Sequence, residues 1–231
     1  MASPLLESLQ KANLLPSSIL PATFTPTYHL TIHFPDTPKS ISNGTLVRVS
    51  EVKSTPTVTI SPVSTTTANN NPSEAQQPPP ASGAATATSD GLTLLLLDPD
   101  APTPDDPKFA YWRHWVVTDI PAPTSSSSPV VVNGTDAAGG GRTITPYLAP
   151  GPKDESGPHR YLFLVFAGTA GTAGAGGGGE GVKRLEKADV GGDEFVERRS
   201  FGAGEFVRRF GLGLVGVQWM RGVGDGWVGE E

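Results

Sequence analysis

A chain of 231 residues can bury a real core, but 28 glycines, 23 prolines and only 36% hydrophobic residues put part of it outside that core. With no cysteine there is no disulfide framework, thiol nucleophile or Cys-ligated metal site, and a formal net charge of -6 argues against nucleic acid as a partner. The longest apolar runs, at 94–97 and 161–167, are far short of the roughly 20 residues that span a bilayer.

From the N-terminus, Glu7 and Lys11 interrupt the apolar stretch that a signal peptide requires, so a cytoplasmic location is expected, with the vacuole as the alternative. Asn43-Gly44-Thr45 and Asn133-Gly134-Thr135 fit a glycosylation sequon but read better as Asn-Gly turns. A short helix is expected over 5–12. Seven segments read as strands: 28–34, 45–52, 57–60, 92–97, 114–118, 161–166 and 214–219. Each is short, rich in β-branched, leucine or aromatic residues, and bounded by Gly, Pro or Asn. The segments at 92–97 and 161–166 are apolar on both faces, as strands covered on two sides must be, and are expected to be central. Helical signals are weaker: one segment capped by Ser200 and ending at Gly211, and another over 183–188. Many strands without regular strand-helix alternation predict an all-β sandwich with a few short peripheral helices.

Three stretches, 61–91, 122–142 and 168–181, carry almost no large apolar side chains and are expected to be disordered surface insertions. What remains has the size of an ordinary single domain. A formal G-x-G-x-x-G match from Gly174 to Gly179 sits in a low-complexity run with no βαβ unit around it, so it does not indicate a dinucleotide. The pairs Arg198-Arg199 and Arg208-Arg209 read as a solvated helix face.

The chemistry concentrates at strand ends. His29 and His33 alternate with Tyr28, Leu30, Ile32 and Phe34, which turns both toward solvent. His114 and His159 each open an apolar strand after a Pro- or Gly-rich loop, and His159 shares a face with Tyr161 by the two-residue period. Asp98-Pro99-Asp100-Ala101-Pro102 follows the most apolar strand, and its prolines stiffen the residues before them. That loop reads either as a preorganised site or as a structural turn. Two carboxylates with two histidines also admit a two-His, one-carboxylate metal set, although nothing in their spacing is diagnostic.

The run Leu97-Asp98-Pro99-Asp100-Ala101-Pro102-Thr103, followed after ten residues by His114, resembles the signature of the phosphatidylethanolamine-binding protein family, which includes Raf-kinase inhibitor proteins and fungal inhibitors of a vacuolar serine carboxypeptidase. Gly151-Pro152, followed after six residues by His159-Arg160-Tyr161, is similar to the family's other site motif. Lys11 to Pro16 and Glu205 to Gly213 extend the resemblance, the latter toward fungal members. The resemblance implies a β-sandwich with a small anion-accepting pocket. Its ligand-binding residues would be Asp98, Pro99, Asp100, Trp112, His114, Gly151, His159 and Tyr161, and it implies a cis Ala101-Pro102 peptide. Arg113 departs from the family pattern, and Gly222, Gly224 and Gly226 do not suit the family's terminal helix, leaving Trp227 as the candidate for an aromatic lid. Function then reads as a monomeric, cofactor-free binding and regulatory protein rather than an enzyme. It would take a phospholipid headgroup or another small phosphate ligand and inhibit a serine carboxypeptidase or a kinase. The alternative is a metal-assisted hydrolase using the Asp/His cluster.

Overall fold

The computed structural model describes residues 3–63, 91–124, 127–136, 139–168 and 184–229. Helix α1 (Pro4–Lys11) starts as its sequence dictates: Ser3 caps it, Pro4 occupies the first turn, and Glu7 and Lys11 complement the two ends of the helix dipole. Nine strands follow, β1 (Tyr28–His33), β2 (Thr45–Arg48), β3 (Thr57–Pro62), β4 (Leu92–Asp98), β5 (Trp112–Ile120), β6 (Val130–Val132), β7 (Arg142–Thr145), β8 (His159–Ala167) and β9 (Gly213–Val223). Helices α2 (Lys187–Val190) and α3 (Ala203–Arg209) lie between β8 and β9.

The strands form two sheets, ordered β1-β3-β6 and β2-β9-β8-β4-β5-β7. All pairings are antiparallel except β2 on β9, which is parallel. Side chains alternate as the pleat requires, and that alternation builds two cores. On one face of the larger sheet, Leu94 and Leu96 of β4 with Phe163 and Val165 of β8 pack against Leu30, Ile32, Val58 and Ile60 of the smaller sheet. On the other face, Leu95 and Leu97 with Leu162, Leu164 and Phe166 meet Leu9, Leu20, Phe24, Leu185 and Phe206 from the N-terminal segment and the β8–β9 connection. The central strands are apolar on both faces because both faces are covered. His29 and His33 are exposed on β1, as their period predicts.

Several boundaries differ from the sequence reading. The stretch 122–142 is not an insertion throughout: β6 lies inside it, pairs with β3 and buries Val132, and Arg142 opens β7. Three valines carry too little signal alone, but pairing with β3 satisfies their backbone. Ser61 and Pro62 complete β3, whereas 64–90 and 169–183 lie outside the described residues, so the expectations for most of 61–91 and 168–181 fall there, as does the Gly174–Gly179 run. The strand expected over 45–52 ends at Arg48, where the Glu51 carboxylate accepts the Arg48 N–H and curls the chain into a 3-10 turn, Val49–Val52. Ser200 does not cap α3. Its φ is +51° and its N–H donates to the Phe109 carbonyl, and Gly202 stands at the cap instead. The helix expected over 183–188 begins only at Lys187.

Candidate functional site

Asp98 is the last residue of β4, and His159 and Tyr161 open β8 beside it. The two-residue period turns all three to the face that carries Leu94, Leu96 and Phe163. His114 arrives by a different device. β5 has one residue more than β4 between the pairs Leu96–Trp115 and Leu97–Arg113, and the extra residue is His114. Such a bulge re-aims a side chain at the end of a ladder.

These residues meet in a cavity of about 510 Å³, also lined by Trp112, Gly151, Phe109, Lys153, Phe195 and Arg199. His159 Nδ1 lies 2.8 Å from Asp98 Oδ2, with both side chains buried. Because the carboxylate only accepts, Nδ1 carries the proton, and Nε2 is left buried with no partner. The other Asp98 oxygen accepts the Asp100 N–H at 2.6 Å. The Tyr161 ring stacks on His159, with centroids 6.3 Å apart, and meets His114 edge-on at 5.3 Å. Burial first, then the charges of Asp98 and Asp100, holds the Tyr161 phenol well above its ordinary range, so it remains an O–H donor. Gly222 makes room for this ring. It stands opposite His159 in the β8–β9 register, and a Cβ there would lie 2.7 Å from the Tyr161 ring.

His114 donates through Nδ1 to the Leu148 carbonyl at 2.7 Å, which leaves Nε2 as the acceptor of the neutral ring. Burial lowers the His114 pKa, an effect opposed by Asp98 and the Leu148 bond and reinforced by Arg198 and His159. The unfolded histidine, near its ordinary value of about 6.5, binds a proton before the folded one does. Stability from this group is therefore complete above about pH 6.5 and is lost as pH falls through the lower folded value. His114→Gln should flatten the decline in melting temperature between about pH 7 and pH 5. Parallel profiles for wild type and variant would contradict the neutral assignment.

Two expected site residues stand elsewhere. Asp100 is buried, but it accepts the Arg160 backbone N–H at 2.7 Å and the Arg160 Nε at 2.9 Å and does not line the cavity. Arg160 in turn donates to the Ala12 carbonyl, tying this loop to the end of α1. Pro99 is likewise absent from the lining. The Ala101-Pro102 peptide is cis, as the resemblance implies. Trp227 is no lid, since its carbonyl accepts from Arg48 and the residue is not in the lining. Gly222 lies in a strand, and Gly224 and Gly226 pack against Asp154, whose carboxylate accepts the Gly226 N–H.

The aromatic wall comes instead from Phe109, Trp112 and Phe195, with Trp112 and Phe195 edge-on at 4.9 Å. The sequence reading also missed both arginines beside it. Arg198 is buried, donating to the Pro146 carbonyl at 2.8 Å and the His114 carbonyl at 3.1 Å, and so clamps the bulged strand. Arg199 lies against all three rings. Both sit at a 3-10 turn, Phe195–Arg198, where helical periodicity does not apply. Phe195 inside a run of Gly, Asp and Glu was the available signal. Arg113, the departure from the motif, is buried against Thr145 and the carbonyls of Val190 and Gly192. Burial, with Arg198 nearby, lowers its pKa to about 10.

Fold and cavity together define a two-sheet β protein with a small pocket, aromatic-walled and carrying a cluster of polar groups, at the ends of its central strands. The family model described as phosphatidylethanolamine-binding protein matches residues 50–198, more than half of the chain, and the chain belongs to that family. It is 42% identical over 74 residues to Protein BROTHER of FT and TFL 1 of Arabidopsis thaliana, covering 32% of this chain and 34% of that protein. It is 31% identical over 143 residues to Protein MOTHER of FT and TFL1 homolog 2 of Oryza sativa subsp. japonica, covering 62% of this chain and 59% of that one. These alignments thus span between about a third and three-fifths of the relatives' lengths. Among solved structures, a carboxypeptidase Y inhibitor complexed with its cognate proteinase superposes with a TM-score of 0.64 at 20% identity, over 95% of each chain. The phosphatidylethanolamine-binding protein from Plasmodium vivax superposes at 0.63 and 20% identity, over 96% of this chain and 98% of that one. At that identity the likeness establishes the shared fold. No helix among the described residues is long and apolar enough to cross a membrane.

Proposed function

We propose that this protein is a non-catalytic binding and regulatory protein whose pocket holds a small phosphate-bearing anion, and that it inhibits a serine carboxypeptidase or a kinase. The observation that carries the ligand reading is the convergence of Asp98, His114, His159 and Tyr161 on one cavity, with His159 Nε2 and Trp112 Nε1 buried there unpartnered. Such orphan groups are stabilised when a ligand supplies the missing hydrogen bonds. Trp112 Nε1–H, the Gly151 N–H and the Lys153 ammonium are donors. Neutral His114 accepts through Nε2 from a hydroxyl of the ligand. Family membership supports a binding role, and the fold shared with a carboxypeptidase Y inhibitor complexed with its proteinase supports the inhibitory reading.

Much of each charge-assisted bond is offset by desolvation and ordering, so micromolar to millimolar affinity is expected. In calorimetry with a phosphate ester, His159→Ala should weaken binding about tenfold or more. His33→Ala, on the exposed face of β1, should change nothing. Equal binding by wild type and His159→Ala would overturn the pocket assignment. Assays of a serine carboxypeptidase and a protein kinase with the purified chain test the inhibitory half, and inhibition of neither would remove it. Ester hydrolysis that depends on added metal would instead favour the metal-assisted hydrolase. Among the described residues, no group of three His, Asp or Glu side chains is arranged to hold a metal ion.

A further inference from the structure

Resting on that reading of the pocket, we propose that Arg199 makes it selective for phosphate monoesters, which carry a terminal dianion, over zwitterionic phosphodiester headgroups. The guanidinium carbon lies 4.6 Å from the centroid of Phe109, 5.5 Å from Trp112 and 5.7 Å from Phe195. Three rings of the pocket wall thus hold one cation in place. Its Nε is buried with no hydrogen-bond partner, and no carboxylate among the described residues forms a salt bridge with it. An aromatic enclosure stabilises the charge but does not use its N–H donors, which stay available to an anion.

The carboxylates argue in the same direction. A zwitterionic headgroup needs an acceptor for its ammonium, yet both oxygens of Asp98 are engaged, one by His159 Nδ1 and the other by the Asp100 N–H. The other lining carboxylate, Glu155, stands at the exposed rim 3.7 Å from Lys153. An ammonium entering the cavity would compete with His159 for Asp98 while facing Arg199 and Lys153. A monoester meets the opposite balance: it brings about -1.5 to -2 charges and three terminal oxygens to a cavity whose free polar atoms are mostly donors. A diester brings one charge and two such oxygens.

The test titrates the full chain with glycerol 3-phosphate, a monoester, and with glycerophosphoethanolamine, a zwitterionic diester. Wild type should prefer the monoester by about tenfold or more, and Arg199→Gln should remove most of that preference by weakening the monoester alone. Arg199→Lys, which keeps the charge without the planar fork, should retain part of it. Equal affinity for the two esters, preference for the diester, or an equal loss of both in Arg199→Gln would overturn the role of Arg199 while leaving the pocket assignment intact. Binding of neither ester would remove that assignment and this inference with it. Phosphatidylcholine vesicles containing phosphatidic acid separate the possible sources. Binding to them through Arg199 supports a lipid source of the terminal phosphate, and binding of the soluble monoester alone supports a free one.

Discussion

Phe163→Ala is expected to cost about 3–5 kcal/mol of folding stability. The ring is fully buried on β8, which lies between β9 and β4 in the larger sheet, and it points into the core shared with the smaller sheet. It meets Phe34 edge-on at 6.4 Å. Truncation removes the transfer free energy of a large aromatic group and leaves a cavity that two hydrogen-bonded sheets cannot readily close. For a domain of this size the melting temperature should fall by roughly 10 °C. Val131→Ala, on edge strand β6 with the valine 46% exposed, should stay within about 0.5 kcal/mol of wild type. A Phe163→Ala loss as small as that of Val131→Ala would mean that the two sheets do not share the core described.

Arg160→Ala is expected to destabilise by about 3–5 kcal/mol, and Asp100→Ala by less, about 2 kcal/mol. The asymmetry follows from what each change leaves behind. Without Arg160, the Asp100 carboxylate remains 1% exposed and keeps only its backbone donor. Without Asp100, the Arg160 side chain is 29% exposed, can hydrate, and still donates to the Ala12 carbonyl. Because the two groups share one interaction, the double substitution should cost less than the sum of the single ones. Urea unfolding of the three variants measures this. An Asp100→Ala penalty equal to or larger than that of Arg160→Ala would refute the structural role given to the pair, and with it the separation of Asp100 from the pocket.

Much of the site was legible because it depends on local period. His159 and Tyr161 share a face two residues apart, and Asp98 ends a strand apolar on both faces, so all three were recognisable as polar groups at the margin of a core. His114 was legible as a residue but not in its aim, since the bulge arises only when β5 pairs with β4. Asp98 and Asp100 look equivalent in the motif. Only the approach of Arg160 from β8 separates them, sending one carboxylate to the pocket and the other to a structural ion pair. Arg198 and Arg199 likewise look alike, and the 3-10 turn sends one to buried carbonyls and the other to the aromatic wall.

By itself, the sequence determined the elements whose cause is local. Alternation placed His29 and His33 outside, two-sided apolarity made β4 and β8 central, and the helix expected over 5–12 lies within one residue of α1. Short strands such as β6, the His114 bulge, the parallel β2–β9 pair and the enclosure of Arg199 were decided only by the tertiary structure. Each depends on partners distant along the chain, whose contact satisfies backbone groups or encloses a charge in ways that no short window of residues encodes.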